Sequence, residues 1–248
     1  FRKYKNMKKT KIKRLYLIGG NSVLGNSITN KFLEHNLVSE VIKVTRNKKF
    51  ETNNEFIYID DYEKLNNILE KYSPNEGDIF LLAFAHLGKT GFVDEEYLSL
   101  EHDNQNKVFQ INLYKMIKVL NLSVKFLSKK GGSIIYLSSA AAYPPRASNL
   151  PYSLSKKFID EILKAQKDYF KLKNVKTMSV RIGFVDTPLN KDKKPTPFSS
   201  TPKQVSKLVV KGYLSNKKTI YIPKSLFLVT KILRCLKLIT NHLDKKYS

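Results

Sequence analysis

At 248 residues the chain is long enough to bury a full core and falls in the range of one α/β domain. Its formal charge of +24 would ordinarily point to a polyanionic partner, but 39 of the 45 basic residues are Lys and only 6 are Arg, scattered among Asn and Ile along the whole length. That dispersal reads as a solvated Lys-rich surface, and without a zinc-finger spacing, an RRM signature or a basic helix followed by heptads, nucleic acid is excluded as the expected partner.

The chain opens on Phe1, so either its start is truncated or Met7 is the native first residue. The basic stretch Phe1 to Arg14 is not followed by the apolar core of a signal segment. Beyond it, short apolar runs alternate with stretches of helical period. Arg14 to Ile18 leads into Ser22 to Asn36, Val41 to Val44 stands alone, and Phe56 to Ile59 leads into Tyr62 to Tyr72. Then come Asp78 to Ala85, a long helix over about Gln105 to Leu127, Ser133 to Leu137, a helix from Tyr152 to Lys171, and Thr177 to Ile182. The strands read as continuously apolar, which is how parallel strands look when helices cover both faces of their sheet. The expected fold is therefore a Rossmann-type, doubly wound parallel α/β sheet in one catalytic domain over 13–223, followed by an apolar and basic C-terminal helix and tail over 224–248. The segment Asn190 to Pro202, with Pro195, Pro197 and Pro202, reads as a loop at the carboxyl end of a strand, either a substrate lid or a plain connection.

The turn after the first strand, Gly19-Gly20-Asn21-Ser22-Val23-Leu24-Gly25, opens a helix. Glycines there allow a tight turn, and the helix N-terminus favours a pyrophosphate, although such a turn is often only a turn. The second strand ends in Arg46 and lacks the carboxylate that would accept from a ribose 2′-hydroxyl. A guanidinium suits a 2′-phosphate, so NADP is the expected cofactor and NADPH is preferred over NADH, unless Arg46 is an ordinary surface residue. Asp60 would accept from the adenine amino group, with helix capping by Asp60 or Asp61 as the competing explanation.

Ser138 and Ser139 end a strand, and thirteen residues after Ser139 comes Tyr152, with Lys156 one helical turn further on the same face. Ketone reduction by hydride leaves an alkoxide to be protonated, and a phenol with an ordinary pKa of about 10 is a weak acid-base catalyst at neutral pH. An adjacent ammonium is expected to stabilise the phenolate, and a Ser139 hydroxyl to stabilise the developing oxyanion. Asn112 lies 27 residues before Ser139 in the middle of the long helix, where Asn is disfavoured unless its amide has work to do.

In order and spacing, Asn112, Ser139, Tyr152 and Lys156 resemble the Asn-Ser-Tyr-Lys tetrad of the short-chain dehydrogenase/reductase family. That resemblance, running from about Lys13 to Ile222, implies Tyr152 as general acid or base and Lys156 as holding the nicotinamide ribose. It further implies Ser139 as polarising the carbonyl, Asn112 as supporting a water in a proton relay, and Thr187 as binding the carboxamide. Gly19, Asn21, Ser22, Leu24, Gly25, Arg46, Asp60, Ala85, Tyr152, Lys156 and Thr187 are the implied cofactor contacts, and no metal is expected. Three departures bear on the cofactor contacts: Val23 stands where the family has its middle glycine, Ala83-Phe84-Ala85-His86 replaces the Asn-Ala-Gly segment, and Ile182 replaces the proline before Gly183. The family also implies a homodimer or homotetramer.

Within that family the first turn, the segment ending in Gly88, Thr201 to Val205 and Lys217 to Pro223 are similar to decaprenylphosphoryl-2-keto-ribose reductases. That likeness implies a keto-sugar or polyprenyl-phosphate-linked keto-sugar as substrate, cell-envelope polysaccharide synthesis as the setting, and a flavin oxidase as partner. The tail from Leu226 to Leu243 is apolar with Lys231, Arg234 and Lys237 interleaved, too short and charged to span a bilayer. Such a helix either lies at a membrane interface, making a peripheral contact, or packs on its own domain or a second subunit. A lone Cys235 excludes an internal disulfide and fits a reducing, cytoplasmic compartment. The other readings are a generic alcohol dehydrogenase or 3-oxoacyl reductase acting on a soluble substrate, and a non-catalytic NADP-binding regulator, against which the intact tetrad argues.

Overall fold

The strands are β1 Arg14–Ile18, β2 Glu40–Thr45, β3 Phe56–Tyr58, β4 Asp78–Leu82, β5 Gly132–Ser139, β6 Val175–Ile182 and β7 Thr219–Ile222. In the computed structural model, which describes residues 12–53, 55–88, 102–190, 196 and 198–235, they form one sheet in the order β3-β2-β1-β4-β5-β6-β7. Every pairing between neighbours is parallel. The expected sheet is thus present. Alternation along each strand divides its side chains between two cores: Tyr16, Ile18, Phe80 and Leu82 enter one, Leu15, Leu17, Ile79 and Leu81 the other. Both faces being buried, the period-two signal of a half-exposed strand is lost and a continuous apolar run remains.

The helices are α1 Val23–Glu34, α2 Leu65–Leu69, α3 His102–Phe109, α4 Met116–Leu127, α5 Leu150–Ala165, α6 Lys167–Leu172, α7 Pro202–Leu214 and α8 Ser225–Cys235. A π-helical segment, Gln110–Lys115, joins α3 to α4, so the long helix expected over 105–127 is one rod with a widened turn at Asn112. The helix expected from Tyr62 to Tyr72 is shorter: a 3-10 turn over Tyr62–Lys64 capped by Asp61, then α2. Asn66 and Asn67 are weak helix formers, and Pro74 follows closely. Likewise the helix expected from Tyr152 to Lys171 breaks at Gln166, where φ −92° and ψ 14° leave the helical region.

Helix α7 and strand β7 fall outside the elements read from the sequence. The signal for α7 was present, because Thr201 and Gln204 form a reciprocal capping box with Pro202 in the first turn. Ligands in open α/β sheets bind beyond the carboxyl ends of the strands where the order reverses, here between β1 and β4. The expected loop Asn190 to Pro202 borders that end, and its residues 191–195 and 197 lie outside the described residues.

Candidate active site

A cavity of about 1210 Å³ opens at that reversal, from the turn after β1, past Ser139 and Tyr152, to α8. Among the described residues no group of three or more His, Cys, Asp or Glu is placed to hold a metal ion.

At the β1 end, Gly19 has φ +98°, and a Cβ there would lie 2.9 Å from the backbone nitrogen of Phe84. Only glycine lets the turn pass so close to the end of β4. Ser22 caps α1 by accepting from the backbone N–H of Gly25 at 3.1 Å. Asn21, Ser22 and Leu24 line the cavity together with Gly19, and so does exposed Val23 at the family's missing-glycine position. Gly25, expected among the cofactor contacts, is absent from the lining. It is buried, and a Cβ there would approach Leu17 Cδ1 to 2.6 Å and Ala83 Cβ to 3.1 Å. Its contribution is the close seating of helix on strand.

Arg46 lines the same end, its guanidinium carbon 4.7 Å from the centroid of the buried Tyr62 ring. Its Nε is buried and has no hydrogen-bond partner among the described residues. Such an orphan donor at a cavity wall fits an anionic ligand that would complete its hydrogen bonding. Asp60 also lines the cavity, and a hydrogen bond from Lys64 at 2.6 Å holds its exposed carboxyl below the usual range. The capping alternative falls to Asp61, which accepts from the Glu63 backbone N–H. Ala85 and Thr187 line the cavity as well, the latter donating weakly to the Val185 carbonyl at 3.4 Å.

Ser139, Tyr152 and Lys156 converge on the middle of the cavity, presented by the end of β5 and the first turns of α5. The Ser139 hydroxyl accepts from the Ala141 backbone N–H at 3.1 Å and hydrogen-bonds the Tyr152 phenol. Lys156 Nζ donates to the Leu137 carbonyl at 2.8 Å and sits 4.9 Å from the Tyr136 ring centroid and 5.8 Å from that of Tyr152. Burial pushes the phenol up to about 12, with Ser139 pulling it back, and pushes the ammonium down to about 8. The expectation that the ammonium lowers the phenol in the resting protein is therefore corrected. Burial sets the direction at the resting phenol, and Nζ is directed at the Leu137 carbonyl.

Asn112, the fourth member, is fully buried and does not line the cavity. Its Nδ2 donates to the His86 carbonyl and its Oδ1 accepts from the His86 N–H, both at 2.7 Å. The amide holds the wall from Ala85 to Leu87 in place from the π-helical turn, a form of helix frequent at functional sites.

Sequence reasoning missed two groups, Tyr62 and Asp160, and did not foresee that α8 lines the cavity. Tyr62, the platform beneath Arg46, carries no sequence signal of that role. Asp160 hydrogen-bonds Ser138 behind the site, and a carboxylate among the core positions Ile159 and Leu163 was a visible anomaly. In α8, Leu226, Val229, Thr230 and Leu233 line the cavity while Phe227, Leu228 and Ile232 are exposed. One face of that helix thus forms a wall of the cavity. Residues 236–248 of the expected tail lie outside the described residues, among which no helix is long and apolar enough to cross a membrane.

The family model described as short chain dehydrogenase matches residues 14–197. Among solved structures, a short chain dehydrogenase from Burkholderia cenocepacia in complex with NADP is similar at 16% identity, covering 90% of this chain and 93% of that one, with a TM-score of 0.76. A gluconate 5-dehydrogenase from the same organism, with NADP and tartrate, aligns at 15% identity over 87% of this chain and 96% of that one, TM-score 0.70. A 3-ketoacyl-(acyl-carrier-protein) reductase from Brucella melitensis, complexed with NADH, aligns at 13% identity over 86% and 98%, TM-score 0.69.

Proposed function

The chain belongs to the short-chain dehydrogenase family, NAD(P)-dependent oxidoreductases, and on that premise we propose that it reduces a ketone with NADPH, using Tyr152 as the proton donor. The observation that carries this reading is the meeting of Ser139, Tyr152 and Lys156 in one cavity whose far end holds the unpartnered Arg46 Nε. NADPH bound along Gly19, Asn21, Ser22, Leu24, Arg46, Asp60, Ala85 and Thr187 would supply the hydride. Ser139 donates a hydrogen bond to the carbonyl oxygen as negative charge develops, and Tyr152 protonates that oxygen. Lys156 would hold the nicotinamide ribose and stabilise the phenolate left behind, while Asn112 keeps the opposite wall in position through His86.

For the substrate we favour a keto-sugar linked to polyprenyl phosphate in envelope polysaccharide synthesis, the product of a flavin oxidase. Support comes from the split character of α8, whose inner face lines the cavity with Leu226, Val229 and Leu233 while its outer face shows Phe227, Leu228 and Ile232 to solvent beside Lys231. An apolar chain leaving the cavity would meet that helix, and a basic helix with an apolar face suits peripheral contact with anionic lipid. The same family reading carries a cytoplasmic homodimer or homotetramer.

NADPH oxidation across a panel of keto-sugars, free and polyprenyl-phosphate-linked, tests the substrate. Turnover at least tenfold higher in kcat/KM for the lipid-linked members is expected, and equal or better turnover of soluble acyl thioesters would discard the assignment. In flotation with anionic liposomes, the full chain is expected to float and a variant lacking 224–248 to remain at the bottom. Equal behaviour of the two would leave α8 a cavity wall only.

A further inference from the structure

Asp160 lies one helical turn beyond Lys156 on α5 and is 4% exposed. Its Oδ2 accepts from Ser138 Oγ at 2.9 Å and from Arg181 Nε at 3.0 Å, and its Oδ1 accepts from Ser179 Oγ at 2.5 Å. One carboxylate thereby binds the catalytic helix to β5, at the residue next to Ser139, and to β6 at two positions. Arg181 is held in turn, its guanidinium 3.6 Å from the Tyr143 ring centroid and hydrogen-bonded to the Tyr221 hydroxyl. Tyr143 lines the cavity.

Burying an ion pair is costly, and an apolar side chain at this position would pack as Ile159 and Leu163 do. The fold alone therefore gives no reason for a charge here. The need lies one turn away, at a buried ammonium. Around Lys156 stand the Tyr152 ring from its own helix and the Tyr136 ring and Leu137 carbonyl from β5; Asp160 lies one turn further along α5, paired with Arg181 from β6, which packs on Tyr143 from the loop after β5. The tyrosines are neutral phenols, each raised by burial. Asp160 is the charged group whose field favours the protonated form of Lys156, against the burial that opposes it.

We propose that Asp160 is the positioning residue of this site, locking α5 in register against β5 and β6 and supplying the countercharge for the Lys156 ammonium. The proposal rests on the reading of Tyr152 and Lys156 as the working pair. Its test needs no turnover. A buried, hydrogen-bonded lysine ammonium exchanges its protons slowly enough for direct observation by ¹⁵N-resolved NMR, and the Lys156 signal is identified by its loss in Lys156→Arg.

The wild-type signal is expected to titrate near pH 8. In Asp160→Asn the midpoint falls by about one pH unit or more, tenfold in the proton equilibrium, whereas Asp160→Glu stays near wild type. A merely structural role would lower the melting temperature and leave the midpoint where it was. Should Asp160→Asn fail to fold because Arg181 is left uncompensated, Arg181→Leu alone keeps the carboxylate and removes the cation that opposes it, so the midpoint rises instead. A wild-type midpoint in either folded variant overturns the proposal. A shifted midpoint in a protein that reduces no ketone would keep the positioning role and remove the functional reading instead.

Discussion

Arg46→Asp is expected to weaken NADPH binding at least about 100-fold and to leave NADH binding within a few-fold. The arginine leaves the end of β2, rests on the Tyr62 ring, and keeps its Nε without a partner at the cavity wall. Hydrogen bonds to a charged group contribute about 1.5–3 kcal/mol each, and a planar guanidinium makes two to one phosphate. Losing both is worth at least about 3 kcal/mol, some two powers of ten in affinity, before counting repulsion between a new carboxylate and the 2′-phosphate. NADH has no phosphate there, so it loses little. Asp60 does not compete for the role, because a carboxylate would repel the 2′-phosphate. Dissociation constants from reduced-nicotinamide fluorescence for both cofactors check this, and an unchanged ratio between them would remove the 2′-phosphate assignment.

The sheet was legible because burial on two faces writes itself into composition: runs such as Leu15-Tyr16-Leu17-Ile18 have no solvent-facing alternation to confuse them. Asn112 was legible for the opposite reason, a residue that spoils helix propensity in a long helix and is explained by the His86 backbone it holds. Asp160 was not singled out, since an aspartate in a helix normally faces water, and only the core positions around it reveal that this one does not. Gly25 was assigned to the cofactor although its role is packing, because motif spacing does not distinguish a glycine that approaches a ligand from one that approaches a leucine. The balance at Tyr152 was misjudged for a related reason. Spacing along a helix places an ammonium near a phenol but says nothing of how dry the site is, and here dryness wins.

That balance has a consequence for the chemistry. With its phenol near 12, Tyr152 carries its proton throughout the neutral range, the state a reductase needs at the moment the carbonyl oxygen becomes an alkoxide. Lys156, near 8, is charged below that pH and loses its proton above it. Reduction should accordingly be sustained below about pH 8 and decline as pH rises through it, when the phenolate left by proton transfer loses its ammonium.

The phenolic proton itself is the centre of the account, and Tyr152→Phe removes it with almost no change in volume. Positioned proton transfer contributes on the order of 10²–10⁴-fold to rate. The single-turnover rate of ketone reduction by the NADPH-loaded variant, against wild type at pH 7, is the most direct measurement. A fall of about 10³-fold, with NADPH affinity within twofold and a melting temperature within about 4 °C, is the predicted result. A rate within tenfold of wild type in a folded, NADPH-saturated variant would contradict the assignment of Tyr152 as the proton donor.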